Sequence, residues 1–369
     1  MTIAPTSNAR AALSVDQIGE ASPRLLVSVI TPSRDEIEHI ESFLETLAAQ
    51  RCEEFDLEFL IADGCSGDGT REILDRHAAS DPRFRVLRNP LQRIAPALNV
   101  AIRAASGEIV VRMDVHTRYP TDYVARCVRV LEESGADNVG GAWIARGETL
   151  FERAVAAVFA SRLASGGAPC RRPGLDGPVE SVYLGCWWRS AFDRFGFFDE
   201  SLHGNEDDEF NLGMRRRGGV VLASPRIRSW YRPRSNVAAL FRQHVGYGFW
   251  KVGVMRRHRS IVGWRHLAPA TLVLALILSI ASSPWIPFAS LLPATYLTAV
   301  LIGTAAIAIR EGSLRLWPAM AVAVLAMHLG YGMGTILGVA RADVGEPTRT
   351  SPTPLVAARP VVGSLNQAG

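Results

Sequence analysis

Between Leu267 and Ile309 the chain runs for 43 residues without one Asp, Glu, Lys or Arg. A helix crosses the hydrocarbon core of a bilayer in about 20 residues, so the run is long enough for two crossings. Ser282-Ser283-Pro284-Trp285-Ile286-Pro287 lies near its middle, and prolines there favour two spans joined by a turn over one long helix. A second uncharged run, Leu316–Ala340, adds a third expected span. Gly330, Gly334 and Gly338 fall on one face of it and suggest a close helix–helix contact. His328 in the same run is expected to be a packed, hydrogen-bonded imidazole rather than a proton relay. The loop Arg310–Arg315 and the cluster Arg256–Arg265 carry the flanking positive charge, which assigns both to the cytoplasmic side. The membrane region is therefore expected at 267–340.

Composition narrows what the rest can be. The net charge is +4, with 40 basic residues, of which Lys251 is the single lysine. That bias points to a GC-rich genome rather than to a nucleic-acid surface, and no basic tract interleaved with aromatics is present, so nucleic acid is not an expected partner. Cys52, Cys65, Cys127, Cys170 and Cys186 show no metal-ligand spacing and are expected as reduced thiols. Residues 1–23 hold no apolar stretch, do not read as a signal peptide, and are expected to be a disordered leader. The tail 341–369, rich in proline, is expected to be disordered too.

Between these ends, 24–235 reads as an α/β domain. LLVSVIT (25–31), DLEFLIAD (56–63), FRVLRN (84–89) and EIVVRMD (108–114) are short apolar runs. They alternate with helical patterns, in the first of which Ile37, Ile40, Leu44 and Leu47 share a face. This βαβαβαβ order predicts a mostly parallel, Rossmann-like sheet covered on both faces. Ligands of such sheets lie at the carboxyl ends of the strands. NVGGAWIA (138–145) reads as a further strand, Gly166–Gly177 as a mobile loop, and NEDDEFNLGMRRRG (205–218) as a helix opening on four acids. The basic, aromatic stretch 236–266 is expected to lie at a membrane interface. Trp143, Trp187 and Trp188 are expected in the core rather than stacked on a ligand.

Polar residues at the strand ends carry the candidate chemistry. The first strand ends in Thr31-Pro32-Ser33-Arg34-Asp35-Glu36, with Pro32 expected to stop it. The second ends in Asp63-Gly-Cys-Ser-Gly-Asp68-Gly-Thr70. A carboxylate at such an end can accept hydrogen bonds from a nucleobase or a ribose, while for a lone Asp-Gly a helix cap is the simpler expectation. The fourth ends in Arg112-Met-Asp114-Val-His116. Alternate residues of an extended segment face the same side, so Asp114 and His116 can share a divalent ion such as Mn²⁺. Glu206-Asp207-Asp208-Glu209 places four carboxylates in one helical turn, where mutual repulsion raises the pKa of some and suits a general base.

Taken in order, VSVITPSRDE, DGCSGDGT, Asp114-Val-His116, YLGCWWRSAFDRFGFFDE and Glu206-Asp207 resemble the family 2 glycosyltransferases of the GT-A nucleotide-diphospho-sugar fold, over about Leu25 to Tyr247. The apolar tail and the Asp-x-His detail resemble bacterial exopolysaccharide enzymes of the succinoglycan type. The resemblance implies that Thr31, Pro32 and Glu36 border the nucleoside, that Asp63 reads the uracil, and that Asp114 binds ribose or metal. His116 takes the place of the usual metal-binding Asp, which puts the choice between Mn²⁺ and Mg²⁺ in question. Asp207 would be the base of an inverting transfer and Glu206 would position the acceptor. The implied donor is a UDP-sugar and the acceptor a lipid-linked saccharide, reached from the cytoplasmic face of a bacterial inner membrane beside other polysaccharide-assembly proteins. Processive members carry Gln-x-x-Arg-Trp where this chain has Gln243-His-Val-Gly246-Tyr247. That departure argues for single sugar addition, with Arg242 as a candidate replacement for the missing guanidinium. A processive synthase and a non-catalytic scaffold subunit of an export complex remain alternatives.

Overall fold

The computed structural model describes residues 24–165, 174–259 and 263–341. The leader, the tail beyond 341 and most of the loop expected at 166–177 lie outside these residues.

The chain opens with β1 (Leu25–Ser33), α1 (Ile40–Ala48), β2 (Phe55–Asp63), α2 (Thr70–Ser80), β3 (Phe84–Arg88), α3 (Ile94–Ala104) and β4 (Ile109–Arg112). Their pairing is parallel in the order β3-β2-β1-β4, as the alternating pattern predicts. β1 is central, and its side chains alternate between the two faces. Val27 and Val29 join a core with Phe59, Ile61, Val111 and α1. Ile30 joins Leu60, Val110 and Leu98 of α3 on the other side. Within α1, Ile40, Leu44 and Leu47 are buried as expected, whereas Ile37 precedes the helix and is exposed.

Pro32 does not end β1. It stays in register with Ala62 of β2. On its other side the pairing with β4 has already stopped at Ile30. A proline is tolerated where no neighbour requires its missing N–H.

Next come β5 (Thr117–Arg118), α4 (Tyr123–Ser134), β6 (Asn138–Ala145), α5 (Leu150–Phe159), α6 (Arg162–Ser165), β7 (Gly177–Pro178), β8 (Tyr183–Trp188), α7 (Ser190–Phe195), α8 (Glu206–Arg216) and β9 (Val221–Tyr231). β8 lies antiparallel between β4 and β6, β6 pairs parallel with β9, and β5 and β7 pair antiparallel with β9. The parallel block thus continues into a mixed half. Trp187 of β8 is fully buried against Phe192, Phe198 and Phe210, a core position as expected.

Residues 237–340 are mainly helical: α9 (Val237–Arg257), α10 (Ala268–Ser282), α11 (Leu291–Arg310) and α12 (Trp317–Ala340). Among the described residues two segments are long and apolar enough to cross a membrane, Pro287–Arg310 and Leu314–Ala340, with mean hydropathies of 1.8 and 1.6. The first of the three expected spans is shorter. α10 has 15 residues and a length of about 22 Å, less than the roughly 30 Å hydrocarbon core. Leu278, Ile280, Trp285, Phe288, Ile302 and Ile309 are exposed along α10, α11 and their connection.

The stretch expected at an interface forms α9, and α9 is seated on α12. Gly248 of α9 lies against the backbone of Tyr331, where a Cβ would fall 2.1 Å from the carbonyl oxygen. Gly334 of α12 lies against Val245, where the corresponding distance would be 2.0 Å. Gly330 and Gly338 meet Phe241 and Phe249 in the same row. The glycine face read from the sequence is therefore the α9–α12 contact. A third core joins Val155 and Val158 of α5, Leu240 of α9, Val300 of α11 and Met320 and Val324 of α12. His328 Nε2 donates to the Leu163 carbonyl at 3.0 Å and Nδ1 accepts from the Tyr296 hydroxyl at 3.1 Å. It is the packed, hydrogen-bonded imidazole expected.

Gly334→Leu should force α9 away from α12 and cost about 1–3 kcal/mol, as overpacking does. Gly246→Ala, at a helical glycine with open space around it, should be neutral or stabilising by up to about 1 kcal/mol. Thermal unfolding of the two variants in detergent compares them; equal midpoints would contradict the tight contact.

Candidate active site

The strand ends of the parallel block are laced together by short side chains. Ser66 Oγ accepts from the Asp35 amide at 2.9 Å, Asp35 Oδ1 accepts from the Gly67 amide at 3.0 Å, and Asp68 Oδ2 accepts from the Ile37 amide at 3.0 Å. The Glu36 amide donates to Thr70 Oγ1 at 2.7 Å. Asp35 and Asp68 thus hold the loops after β1 and β2 to each other. Asp63, at the end of β2, is buried; its Oδ1 accepts from Ser66 Oγ at 2.6 Å, and Oδ2 lies 3.7 Å from Arg71. Thr31 points inward and is fully buried, while Pro32 beside it is half-buried.

At the end of β4 the decisive side chain is one the sequence reading passed over. Arg112 is buried and donates from Nε and Nη2 to the two oxygens of Asp114 at 2.8 and 2.9 Å. Its Nη1 donates to Glu206 Oε1 at 3.2 Å. Burial works against the guanidinium charge, but Asp114 and Glu206 outweigh it and hold the group above its ordinary pKa. The turn after Asp114 is closed by Tyr119, whose hydroxyl accepts from the Asp114 amide at 2.7 Å. His116 Nε2 pairs with Glu36 Oε1 at 2.8 Å, and that hydrogen bond holds the imidazole pKa above its ordinary value.

Among the described residues no three His, Cys, Asp or Glu side chains gather into a metal cage. Asp114 and His116 fit a different kind of site, in which one or two protein ligands leave the other positions to water and substrate phosphate oxygens. Each Asp114 oxygen retains a lone pair beyond the one facing Arg112. Glu36 holds His116 Nε2, which leaves Nδ1 of the 54% exposed ring to meet an ion once the imidazole has given up its extra proton.

The four acids of α8 have different surroundings. Asn205 precedes them in the left-handed region, φ 60°, which Asn tolerates better than most residues. Its amide group donates to the Tyr247 carbonyl of α9 at 3.2 Å. Glu206 faces Arg112. Asp208 is paired with Lys251 of α9; burial pushes its carboxyl up, but Lys251 prevails and holds it below the usual range. Glu209 pairs with His258 at 3.1 Å, and burial together with Asp199 pushes it up to about 7. Asp207 has no ion-pair partner among the described residues, and its Oδ1 accepts from the Asp208 amide at 2.8 Å. Burial first, then Asp208 and Glu206, push Asp207 up to about 7.

On α9, Gln243 donates to the Tyr231 hydroxyl at 3.0 Å. Arg242 is turned back onto its own helix at the Ala238 carbonyl, and it is Lys251 that reaches the acidic turn. The structure therefore gathers Asp114, Glu206 and Asp207 about Arg112, with His116 and Glu36 beside Asp114. Arg112 had a sequence signal: a lone charge closing the buried strand IVVR. Lys251 had one too, as the single lysine of the chain.

Residues 28–181 match the family described as Glycosyl transferase family 2. The succinoglycan biosynthesis protein ExoA of Rhizobium meliloti is 30% identical over 311 residues, which cover 83% of this chain and 92% of that protein. The chain belongs to glycosyl transferase family 2. The dolichyl N-acetyl-alpha-D-glucosaminyl phosphate 3-beta-D-2,3-diacetamido-2,3-dideoxy-beta-D-glucuronosyltransferase of Methanococcus voltae is 23% identical over 86% of this chain and 98% of its own length. Among solved structures, the mannosyltransferase PcManGT from Pyrobaculum calidifontis, in complex with GDP-Man and Mn²⁺, superposes with a TM-score of 0.55 at 22% identity, covering 84% of this chain and 87% of that one. At that identity the likeness speaks for the fold. This glycosyltransferase accordingly has a GT-A fold followed by apolar helices.

Arg112→Met should destabilise this glycosyltransferase by about 3–5 kcal/mol near neutral pH, because the buried Glu206 and the partly buried Asp114 lose their cation. Denaturant midpoints of the variant and the native chain measure this; equal midpoints would contradict the buried pairing.

Proposed function

We propose that this glycosyltransferase is an inverting hexosyltransferase, anchored at the cytoplasmic face of the inner membrane, that moves one sugar from a UDP-sugar to a lipid-linked saccharide. The observation that carries the reading is the isolation of Asp207. Its neighbours Glu206 and Asp208 each pair with a buried cation, while Asp207 pairs with none among the described residues, and burial, Asp208 and Glu206 outweigh Arg112 and push it up to about 7. A base is most useful with a pKa near the working pH.

In this reading Asp207 takes the proton of the acceptor hydroxyl. The freed oxygen attacks the anomeric carbon, the bond from that carbon to the diphosphate oxygen breaks, and the nucleoside diphosphate departs. No covalent sugar–protein intermediate is needed. Glu206, fixed by Arg112, borders the acceptor. Asp63, Pro32 and Glu36 line the nucleoside side, with Thr31 behind them in the core. A divalent ion, Mn²⁺ or Mg²⁺, held by Asp114 and His116 would supply positive charge for the leaving diphosphate.

The exposed apolar surface of α10 and α11, with two helices of spanning length, supports a seat in the bilayer. An acceptor carried on a lipid is concentrated at such a seat. Single addition is supported by Gly246 and Tyr247 in place of the processive Arg and Trp, and by Arg242 bonding its own helix.

Nucleoside diphosphate release by detergent-solubilised protein tests this with UDP-, GDP- and TDP-sugars, a bacterial lipid extract, and Mn²⁺ or Mg²⁺. Release is expected from a UDP-sugar, dependent on ion and extract, and falling as pH drops below about 7, where Asp207 becomes protonated. Asp207→Asn should lose about 10²- to 10⁴-fold in rate. It should not lose stability at pH 8. A raised folded-state pKa means that Asp207 favours the folded state at low pH and costs stability as pH rises from the unfolded value through about 7, a cost the amide removes. An Asn variant at full rate would sink the reading.

A further inference from the structure

Lys251 is the one lysine among 40 basic residues, and it is buried. The other cations are arginines, most of them at exposed or half-exposed positions. An ammonium is a compact point charge, unlike the planar guanidinium fork, and suits a narrow space between packed helices. Lys251 is buried on α9 and faces the start of α8. It sits on α9 one turn beyond Gly248, whose contact with the backbone of Tyr331 leaves no room for α9 to shift on α12. Its partner is Asp208, whose amide donates to Asp207 Oδ1 at 2.8 Å.

We propose that Lys251 is the positioning residue of the base: seated by the α9–α12 contact, it holds Asp208 as a fixed anion beside Asp207 and so governs when Asp207 can accept a proton. This rests on the reading of Asp207 as base. The groups facing Asp207 are Asp208 and Glu206 on its own helix and Arg112 from β4. Those facing Asp208 are Lys251 on α9, His266 in the short helix before α10, Tyr331 on α12 and the Ser181 hydroxyl. His266 is pushed down to about 4 by burial, Lys251 and Arg265, and is neutral at working pH. Arg265 is itself bound to Glu180. The charge that balances Asp208 is therefore that of Lys251.

Asp208→Asn keeps the ammonium and removes the anion next to Asp207, so the acid limb of the kcat/KM profile should move down by about 1–3 pH units. Lys251→Met takes away the cation that keeps Asp208 ionised; Asp208 then binds a proton at higher pH, the anion beside Asp207 is lost, and the limb should again move down. Lys251→Arg keeps the charge and should leave the limb in place even where kcat falls. A helix merely loosened by substitution would not raise the Asp208 titration while lowering that of Asp207.

The profiles would be measured on the full chain in detergent with the nucleotide sugar that gives the highest release in the UDP, GDP and TDP panel. Carbon-13 NMR of Asp-labelled protein, with the Asp207 and Asp208 signals assigned by their loss in Asp207→Asn and Asp208→Asn, reads both titrations without substrate. A limb that stays put or moves up in Lys251→Met or in Asp208→Asn, or an Asp208 titration that does not rise in Lys251→Met, overturns the proposal. If Lys251→Met does not fold, Asp208→Asn and Lys251→Arg still decide it. Full activity in Asp207→Asn would instead overturn the base assignment, so the two failures are distinguishable.

Discussion

A buried guanidinium between two carboxylates organises this molecule. Arg112 leaves the end of β4, takes both oxygens of Asp114, and reaches Glu206 at the start of α8. Those acids lie 92 residues apart in the chain, on either side of the point where the sheet turns from parallel to mixed. A charge removed from water is tolerated when paired and hydrogen-bonded. Each member of the triad therefore constrains the others, and the end of β4 and the start of α8 are held in one geometry. The loops after β1 and β2, tied by Asp35, Ser66 and Asp68, complete the frame around it.

The second constraint comes from the apolar helices. α9 is pinned to α12 by backbone contact at Gly248 and Gly334, and α5 of the glycosyltransferase domain shares a core with α9, α11 and α12. The apolar region is thus continuous with the catalytic domain rather than tethered to it. α9 brings Asn205 its Tyr247 partner and Asp208 its lysine. An acid turn with four carboxylates would repel itself. Cations from β4 and from α9 pair with two of its members, His258 with a third, and Asp207 is left without an ion-pair partner among the described residues.

Much of the architecture was legible in residue order. Apolar runs marked β1 to β4 because strands buried on both faces carry almost no polar residues. NVGGAWIA matched β6, and the helices after each early strand followed from their spacing. The GT-A resemblance rested on motifs that lie at strand ends, where local sequence and site coincide. Pro32 misled because a proline's effect depends on whether a neighbouring strand needs its N–H, and β4 stops short of it. The first apolar run does divide into α10 and α11, but its lack of charge did not reveal that α10 keeps 15 residues before the chain turns.

By itself the sequence determined the fold class, the order of the first strands, the apolar helices and the acidic turn that opens α8. These are properties of short stretches, set by periodicity, length and composition. Tertiary structure decided which acid is which. Glu206, Asp207 and Asp208 are chemically alike and adjacent, and what separates them is that Glu206 pairs with a cation from β4 and Asp208 with one from α9, while Asp207 pairs with neither. Electrostatic energy depends on distance through space, and residues 112 and 251 come within reach of residues 206 and 208 only when the sheet and the helix pair have formed.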